Sequence, residues 1–222
     1  MNRLQAEQQR LYPPPGEAGV RALVLELPGA AAWEHLARVW HGVQLDLQLP
    51  APGIAVSGSG YQLWFSVTQA VPAPQALAFL EALRRRYLAE VPQDRIRTSP
   101  APAGTPEITG LPPGERGEER WSAFVAPDLA ALFVDEPWLD LPPGNDAQAE
   151  LLSRLQCMTP ADLQRVLAEP PPVPATAAAD PAQDPRSFLL AVMNDRAVDL
   201  HLRIEAAKAL LPSIEGQRPP AR

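Results

Sequence analysis

Two short apolar stretches joined by a glycine-rich turn place the strongest constraint on this fold. Residues 54–57 and 61–67 flank Gly58, Ser59 and Gly60. β-Branched and aromatic residues on both sides of such a turn favour paired antiparallel strands. The sequence therefore predicts a β-hairpin here.

The segments around the hairpin alternate between strand patterns and helix patterns. An apolar run predicts a strand over residues 20–27, and Arg95-Ile96-Arg97-Thr98 predicts a short fourth strand. Apolar residues recur at helical spacing over residues 30–47 and 74–91. The order strand, helix, strand, strand, helix, strand is the split βαβ pattern of ferredoxin-like and RNA-recognition-motif folds. We expect an α+β protein with such a sheet domain and a helical C-terminal region.

Proline marks the boundaries between the expected parts. The chain has 28 prolines in 222 residues, about 13% against an average of roughly 5%. We expect an N-terminal arm (1–19), a sheet domain (20–134), a helical extension (135–169), a proline-rich linker (170–185) and a C-terminal helical hairpin (186–222).

Two helix starts in the extension carry capping signals. Asn145 and Gln148 have the spacing of a capping box. Thr159, followed by Pro160 and Asp162, combines a capping residue, a first-turn proline and an acidic third position. We expect a helix to begin at each place.

Charge and composition exclude several function classes. The net charge is −7 and the isoelectric point about 5.0, so the chain lacks the basic surface of a strong nucleic-acid binder. Residues 1–127 are nearly neutral at net −1, whereas 128–222 carry net −6, so a polyanion would have to meet the first half. A single cysteine, Cys157, excludes an intramolecular disulfide and a multi-cysteine zinc site.

Localisation follows from what the sequence lacks. No apolar run approaches the ~18 residues of a membrane span, and residues 1–9 are polar, without a signal-peptide core. We expect a cytoplasmic protein with no membrane partner.

Lys208 is the one lysine among 19 basic residues, which indicates a GC-rich, bacterial genome.

The hairpin and its surroundings resemble a known enzyme superfamily. Over residues 20–99, and above all in the Ser-Gly-Ser-Gly-Tyr-Gln-Leu-Trp-Phe segment at 57–65, the chain is similar to the catalytic core of archaeo-eukaryotic primases, especially the replication primases of plasmids and mobile elements. The resemblance implies an RNA-recognition-motif-like sheet with carboxylates that hold two metal ions for phosphoryl transfer.

The residues that would perform this chemistry are largely missing. The first strand offers Glu26 alone, and Gln62 stands where the family has a histidine. Glu26 and Ser57 are the only candidate catalytic residues, and two-metal chemistry needs several converging oxygen ligands. We expect no catalytic residue and no metal or other cofactor. Mg²⁺ or Mn²⁺ enters only under the alternative of an active or residual nucleotidyltransferase.

Candidate nucleic-acid contacts lie on the second hairpin strand and after it. Alternation places Gln62 and Trp64 on one face of the sheet, where an exposed tryptophan would stack on a base. Burial of Trp64, and a solvated helix face for the arginines, are the alternatives. The candidate binding residues are Gln62, Trp64, Arg84, Arg85, Arg86, Arg95 and Arg97.

The C-terminal segment carries a second resemblance. Its apolar positions and caps are similar to a helical segment of phage terminase small-subunit-like proteins, on Asp184-Pro185, Phe188-Leu189, Val192-Met193-Asn194-Asp195, Leu202-Arg203, Ala206-Ala207-Lys208-Ala209 and Leu211-Pro212. Short helices need a surface to cover their apolar faces, so a docked helical hairpin is the alternative. Such helices would also serve to bind a protein partner.

Together these features predict a non-catalytic accessory protein of a bacterial mobile element, such as a phage, plasmid or integrative element. Its sheet domain would bind single-stranded nucleic acid or a replication protein. The alternatives are a primase-like nucleotidyltransferase and a protein-interaction module without a nucleic-acid role.

Overall fold

An antiparallel sheet and α-helices make up the described part of the chain. The computed structural model describes residues 2–29, 32–106, 108, 110–117, 119–168 and 208. The strands and helices below belong to one compact unit, Met1–Pro171. The predicted linker and C-terminal hairpin, with the terminase-like segment, lie outside the described residues, apart from Lys208.

Within these residues, six strands form one sheet in which every pairing is antiparallel. The spatial order is β4-β1-β3-β2-β6-β5. The strands are β1 (Val20–Pro28), β2 (Gly53–Val56), β3 (Gly60–Val71), β4 (Arg97–Ser99), β5 (Gly114–Glu115) and β6 (Trp121–Val125).

Five α-helices accompany this sheet in the described residues, so the α+β class is confirmed. They are α1 (Arg3–Leu11), α2 (Ala32–Leu45), α3 (Ala73–Tyr87), α4 (Asn145–Ser153) and α5 (Pro160–Ala168). Short 3₁₀ turns occur at Gln93–Arg95 and Ala130–Phe133. None of the described helices is long and apolar enough to cross a membrane.

The first face of the sheet carries the larger core. Alternate residues of β1 and β3 point to this face, and α2 and α3 pack on them. Leu25, Phe65, Leu36 and Phe79 are almost fully buried there. The apolar stripes of the two predicted helices therefore cover one side of the hairpin and its neighbours.

The second face is covered by elements from both ends of the described chain. Leu11 of α1 and Leu152 of α4 pack in a separate cluster with Val24, Trp64 and Phe124 of the sheet. These two helices contact each other and leave part of the face uncovered near the β2–β3 turn. The uncovered part is the candidate site.

The predicted hairpin is confirmed, because β2 pairs with β3 across the turn at Gly58. The short strand predicted over 95–98 begins later, at Arg97, because Pro92 starts a 3₁₀ turn that uses Gln93–Arg95.

The two predicted helix starts differ in outcome. At α5 the prediction is confirmed. The backbone N–H of Asp162 donates to the hydroxyl of Thr159, and the backbone N–H and hydroxyl of Thr159 donate to the carboxylate of Asp162, as in a capping box. At α4, the expected capping box is wrong, because Gly144 is the N-cap residue and no side chain caps the helix. The side chain of Gln148 instead points inward. Its amide nitrogen donates to the carbonyl oxygen of Phe124, and its amide oxygen accepts from the backbone N–H of Phe124.

Candidate functional site

A cleft of about 410 Å³ opens on the second face of the sheet. One side comes from the ends of β1 and β3 and from the β2–β3 turn. The other comes from the segments around β4 and β5. The charged and polar lining residues among those described are Glu26, Ser57, Ser59, Gln62, Arg97, Arg116 and Arg120.

Strand register explains why three of these residues meet. Glu26 on β1 lies directly opposite Gln62 on β3 and directly opposite Arg97 on β4. Directly paired residues of antiparallel strands point to the same face, with Cβ atoms roughly 4.5–5.5 Å apart. A carboxylate, an amide and a guanidinium therefore form one row across the three strands.

Glu26 lies at the bottom of the cleft and is only 4% exposed. Its Oε1 atom is 2.9 Å from the hydroxyl of Ser57 and 3.5 Å from that of Ser59, and both hydroxyls can donate to it. In the described part of the chain no group donates to its Oε2 atom. This oxygen is not among the fully buried atoms without a partner, so it is open to the cleft, where solvent or a ligand supplies its donor.

The β2–β3 turn holds the two serines in place. The backbone N–H of Ser57 donates to the carbonyl oxygen of Gly60 (2.9 Å), which closes the turn. Gly58 adopts a φ of 89°, a conformation that glycine adopts without strain. The glycine-rich sequence thus positions both hydroxyls beside Glu26.

Gln62 is 2% exposed and is oriented by Trp64. The indole N–H of Trp64 donates to its Oε1 atom at 2.8 Å. Because an indole N–H can only donate, the oxygen of the Gln62 amide must face Trp64. The amide nitrogen then remains as a donor, and it has no partner among the described residues.

Trp64 itself is buried, which corrects the expectation of an exposed stacking ring. Its side chain is 7% exposed and packs edge-on against Tyr12, with ring centroids 5.1 Å apart, and against Phe124 at 6.0 Å. α1 and α4 cover this part of the sheet, so the alternative of burial is the one observed. Trp64 contributes to the cleft only by orienting Gln62.

Arg97 brings positive charge to the cleft. It is exposed, and no side chain forms an ion pair with it in the part that the structure describes. Arg116 and Arg120 line the opposite wall. Arg116 donates to the carbonyl oxygen of Gly110 at 2.8 Å, and the guanidinium of Arg120 lies 4.3 Å from the centre of the Trp138 ring.

The remaining predicted arginines lie away from the cleft. Arg84 and Arg85 belong to α3, on the first face, and both pair with Glu81, at 2.7 and 3.3 Å. Hydrogen bonding from Arg84, with the charges of both arginines, lowers the pKa of Glu81. Arg84 and Arg97 do line a second groove, of about 940 Å³, between α3 and β4.

Arg86 and Arg95 are also separate from the cleft. The guanidinium of Arg86 lies 5.8 Å from the centre of the Tyr87 ring. Arg95 is 3.4 Å from the carbonyl oxygen of Pro28, to which it donates. The seven residues predicted to bind nucleic acid therefore do not form one surface. Gln62 and Arg97 line the cleft, and the others do not.

The two weak catalytic candidates, Glu26 and Ser57, are brought into contact. Glu26 is the one carboxylate among the described lining residues. Throughout the described ranges, no group of three or more His, Cys, Asp or Glu side chains is placed to hold a metal ion. Among the described residues of the cleft, Glu26 can accept hydrogen bonds, Gln62 can donate them, and the arginines can neutralise an anion.

The sequence alone did not identify three residues of the cleft, which are Ser59, Arg116 and Arg120. The two arginines follow a proline- and glycine-rich stretch and alternate with acidic residues, so no pattern distinguishes them from a solvated loop. Only the pairing of β5 with β6, and of β6 with β2, brings them to the cleft.

The fold and the cleft define an α+β protein with a polar pocket built on the second face of its sheet. The chain matches no known protein-family model and no curated protein.

Proposed function

We propose that this chain is a non-catalytic accessory protein of a bacterial mobile element and that it binds single-stranded nucleic acid in the cleft. The observation that carries the proposal is the row formed by Glu26, Gln62 and Arg97 across three neighbouring strands. Buried acceptors and donors beside a cation are the groups that bind a base edge and a phosphate.

The proposed primase-like, ferredoxin-like ancestry is supported by the strand order. The order β4-β1-β3-β2, with α2 and α3 on one face, agrees with a split βαβ arrangement. The protein also has β6 and β5 beyond β2, and α1 and α4 on the second face. In an RNA-recognition motif, the exposed sheet stacks two or three bases on aromatic residues. Here the helices cover much of that face, so a pocket replaces an open platform.

The residues of the cleft favour binding over nucleotidyl transfer. Transfer with two metal ions needs several oxygen ligands that converge on the ions. Among the described lining residues Glu26 alone is a carboxylate, and Gln62 is not ionisable. The protein partner proposed for the C-terminal helices is supported by the sequence alone.

Fluorescence anisotropy with a labelled, mixed-sequence single-stranded oligonucleotide at low salt tests the proposal. We expect wild type to bind and Arg97→Gln to bind more weakly, because a phosphate contact is lost. Arg85→Gln is the matched control, since Arg85 lies on α3 and is 57% exposed in its ion pair with Glu81. Exposed pairs of this kind contribute little to stability.

Two results would overturn the proposal. Absence of binding by wild type at low salt is the first, and it leaves the protein-interaction module as the surviving function. Equal weakening of binding by Arg85→Gln and Arg97→Gln is the second, and it would move the interface to α3. Thermal unfolding of both variants checks that neither change acts through loss of the fold.

A further inference from the structure

A second groove adjoins the cleft at the edge of the sheet. β4 is the outermost strand on this side of the sheet, and the groove, of about 940 Å³, lies between β4 and α3. Arg97 and Pro106 line both the cleft and the groove. The two cavities therefore adjoin at these two residues.

The walls of the groove are more apolar than those of the cleft. They include Leu77 and Leu80 of α3 and Ile96, which precedes β4. Leu77 and Ile96 are only half-buried, so the groove keeps apolar surface open to solvent. Its volume is within the roughly 300–1,000 Å³ of small-molecule sites. The groove therefore suits a flat group with an apolar face.

The charges beside the groove disfavour a phosphate inside it. Glu81 and Asp94 are among the residues that line it. Hydrogen bonding from Arg84 lowers the pKa of Glu81, so this carboxyl is charged at neutral pH. Arg97 is exposed, and in the described part of the chain no side chain forms an ion pair with it. A phosphate is therefore better placed at Arg97, where the two cavities adjoin.

We propose that a bound single strand crosses the edge of the sheet, with one base in the cleft, a phosphate at Arg97 and a neighbouring base in the groove between α3 and β4. This rests on the proposed function, because the strand in the groove is the one that the cleft binds. Every base has a flat π-face, so packing on an apolar wall requires no particular sequence. The affinity then depends on two bases, one on each side of Arg97.

Competition by dinucleotides of equal charge tests the inference on wild type. The competitors against the labelled oligonucleotide are dithymidylate and the two one-base dinucleotides, in which an abasic sugar replaces one or the other thymidine. All three carry the same phosphates, so counterion release does not distinguish them. We expect dithymidylate to compete about tenfold better than either one-base dinucleotide, the effect of packing one more base. A site for a single base would favour dithymidylate by only about twofold, because that competitor offers two bases in place of one.

Ala78→Glu tests whether the second base lies in the groove. Ala78 is exposed on α3 and lines the groove, so a longer, hydrated side chain there takes the space of the base without a change in the core. We expect the preference for dithymidylate to fall to about twofold. Ala147→Glu, at an exposed position of α4, is the matched control and should keep the preference of wild type. The added charge repels all three competitors alike, so the preference reports on the base.

Several results would overturn the inference. A preference of about twofold or less in wild type would show that only one base is bound. A preference that Ala78→Glu leaves unchanged would place the second base outside the groove. A dimer in light scattering that Ala78→Glu converts to a monomer would assign the groove to a second copy of the chain.

The two proposals fail in distinguishable ways. Equal competition by the three dinucleotides, with intact oligonucleotide binding, removes this inference and leaves the proposed function. Absence of oligonucleotide binding by wild type removes both.

Discussion

The close approach of two strand backbones requires a glycine at position 60 of the hairpin. Gly60 begins β3 opposite Pro28 at the end of β1. A Cβ atom at Gly60 would lie 2.3 Å from the carbonyl oxygen of Leu27 and 2.6 Å from the Cα of Pro28. No flexible side chain can move aside there, because both atoms belong to the backbone.

We therefore expect Gly60→Ala to destabilise the protein by about 1–3 kcal/mol, the usual cost of overpacking. In a chain of this size that corresponds to a drop of about 2–4 °C in Tm per kcal/mol. Thermal unfolding followed by circular dichroism measures it. Gly16→Ala is the control, since a Cβ there meets nothing within 4 Å. Equal Tm values for the two variants would contradict the close approach.

Glu26 shows what a local pattern can predict and what it cannot. Glu26 is the one carboxylate of the first predicted strand, and the resemblance to primases, in which this strand carries carboxylates, made it a candidate. Its neighbours in the cleft depend on register, since Gln62 and Arg97 are 36 and 71 positions away along the chain and meet it only through pairing. Trp64 could not be placed either, because the helices that bury it come from distant segments.

At the scale of elements, regular local patterns were predicted well. The apolar runs and stripes identified β1, α2, β2, β3 and α3 with shifts of a few residues, because their signals are local. α4 shows the limit. Its Gln148 has the spacing of a capping residue but binds both backbone groups of Phe124 in β6, and a tertiary contact of that kind leaves no periodic trace in the sequence.

The start of α5 yields a pH prediction. The backbone N–H and hydroxyl of Thr159 both donate to Asp162, at 2.9 and 2.8 Å, and these bonds lower the pKa of Asp162. A lowered folded-state pKa gives stability that is present above the unfolded-state pKa of about 3.9 and is lost as the pH falls below it.

We expect Asp162→Asn to cost about 0.5–1 kcal/mol at neutral pH and to approach no cost near pH 2, where the wild-type carboxyl is protonated as well. Chemical unfolding at several pH values measures this difference. A cost for Asp162→Asn that stays constant down to pH 2 would contradict the capping role of the charge.

At the scale of the whole molecule, the charge distribution limits how nucleic acid can bind. The chain carries a net charge of −7, so its long-range field repels a polyanion, and any attraction must be local. Three arginines line the cleft, at 97, 116 and 120. Arg116 already donates to the carbonyl oxygen of Gly110, and Arg120 contacts the Trp138 ring, while Arg84 and Arg85 of α3 pair with Glu81. Binding through so few cations releases few counterions.

The salt dependence of oligonucleotide binding should therefore be shallow. Each neutralised phosphate of a single strand contributes about −0.7 to the slope of log K against log[salt]. The slope is therefore about −0.7 when Arg97 alone contacts phosphate and about −2 when all three arginines do. Arg97→Gln should reduce the steepness of this slope by about 0.7, and Arg85→Gln should leave it unchanged. Anisotropy titrations over a range of salt concentrations measure it. A wild-type slope steeper than about −4 would require more phosphate contacts than the cleft offers, and a slope that responds to Arg85→Gln would assign those contacts to α3.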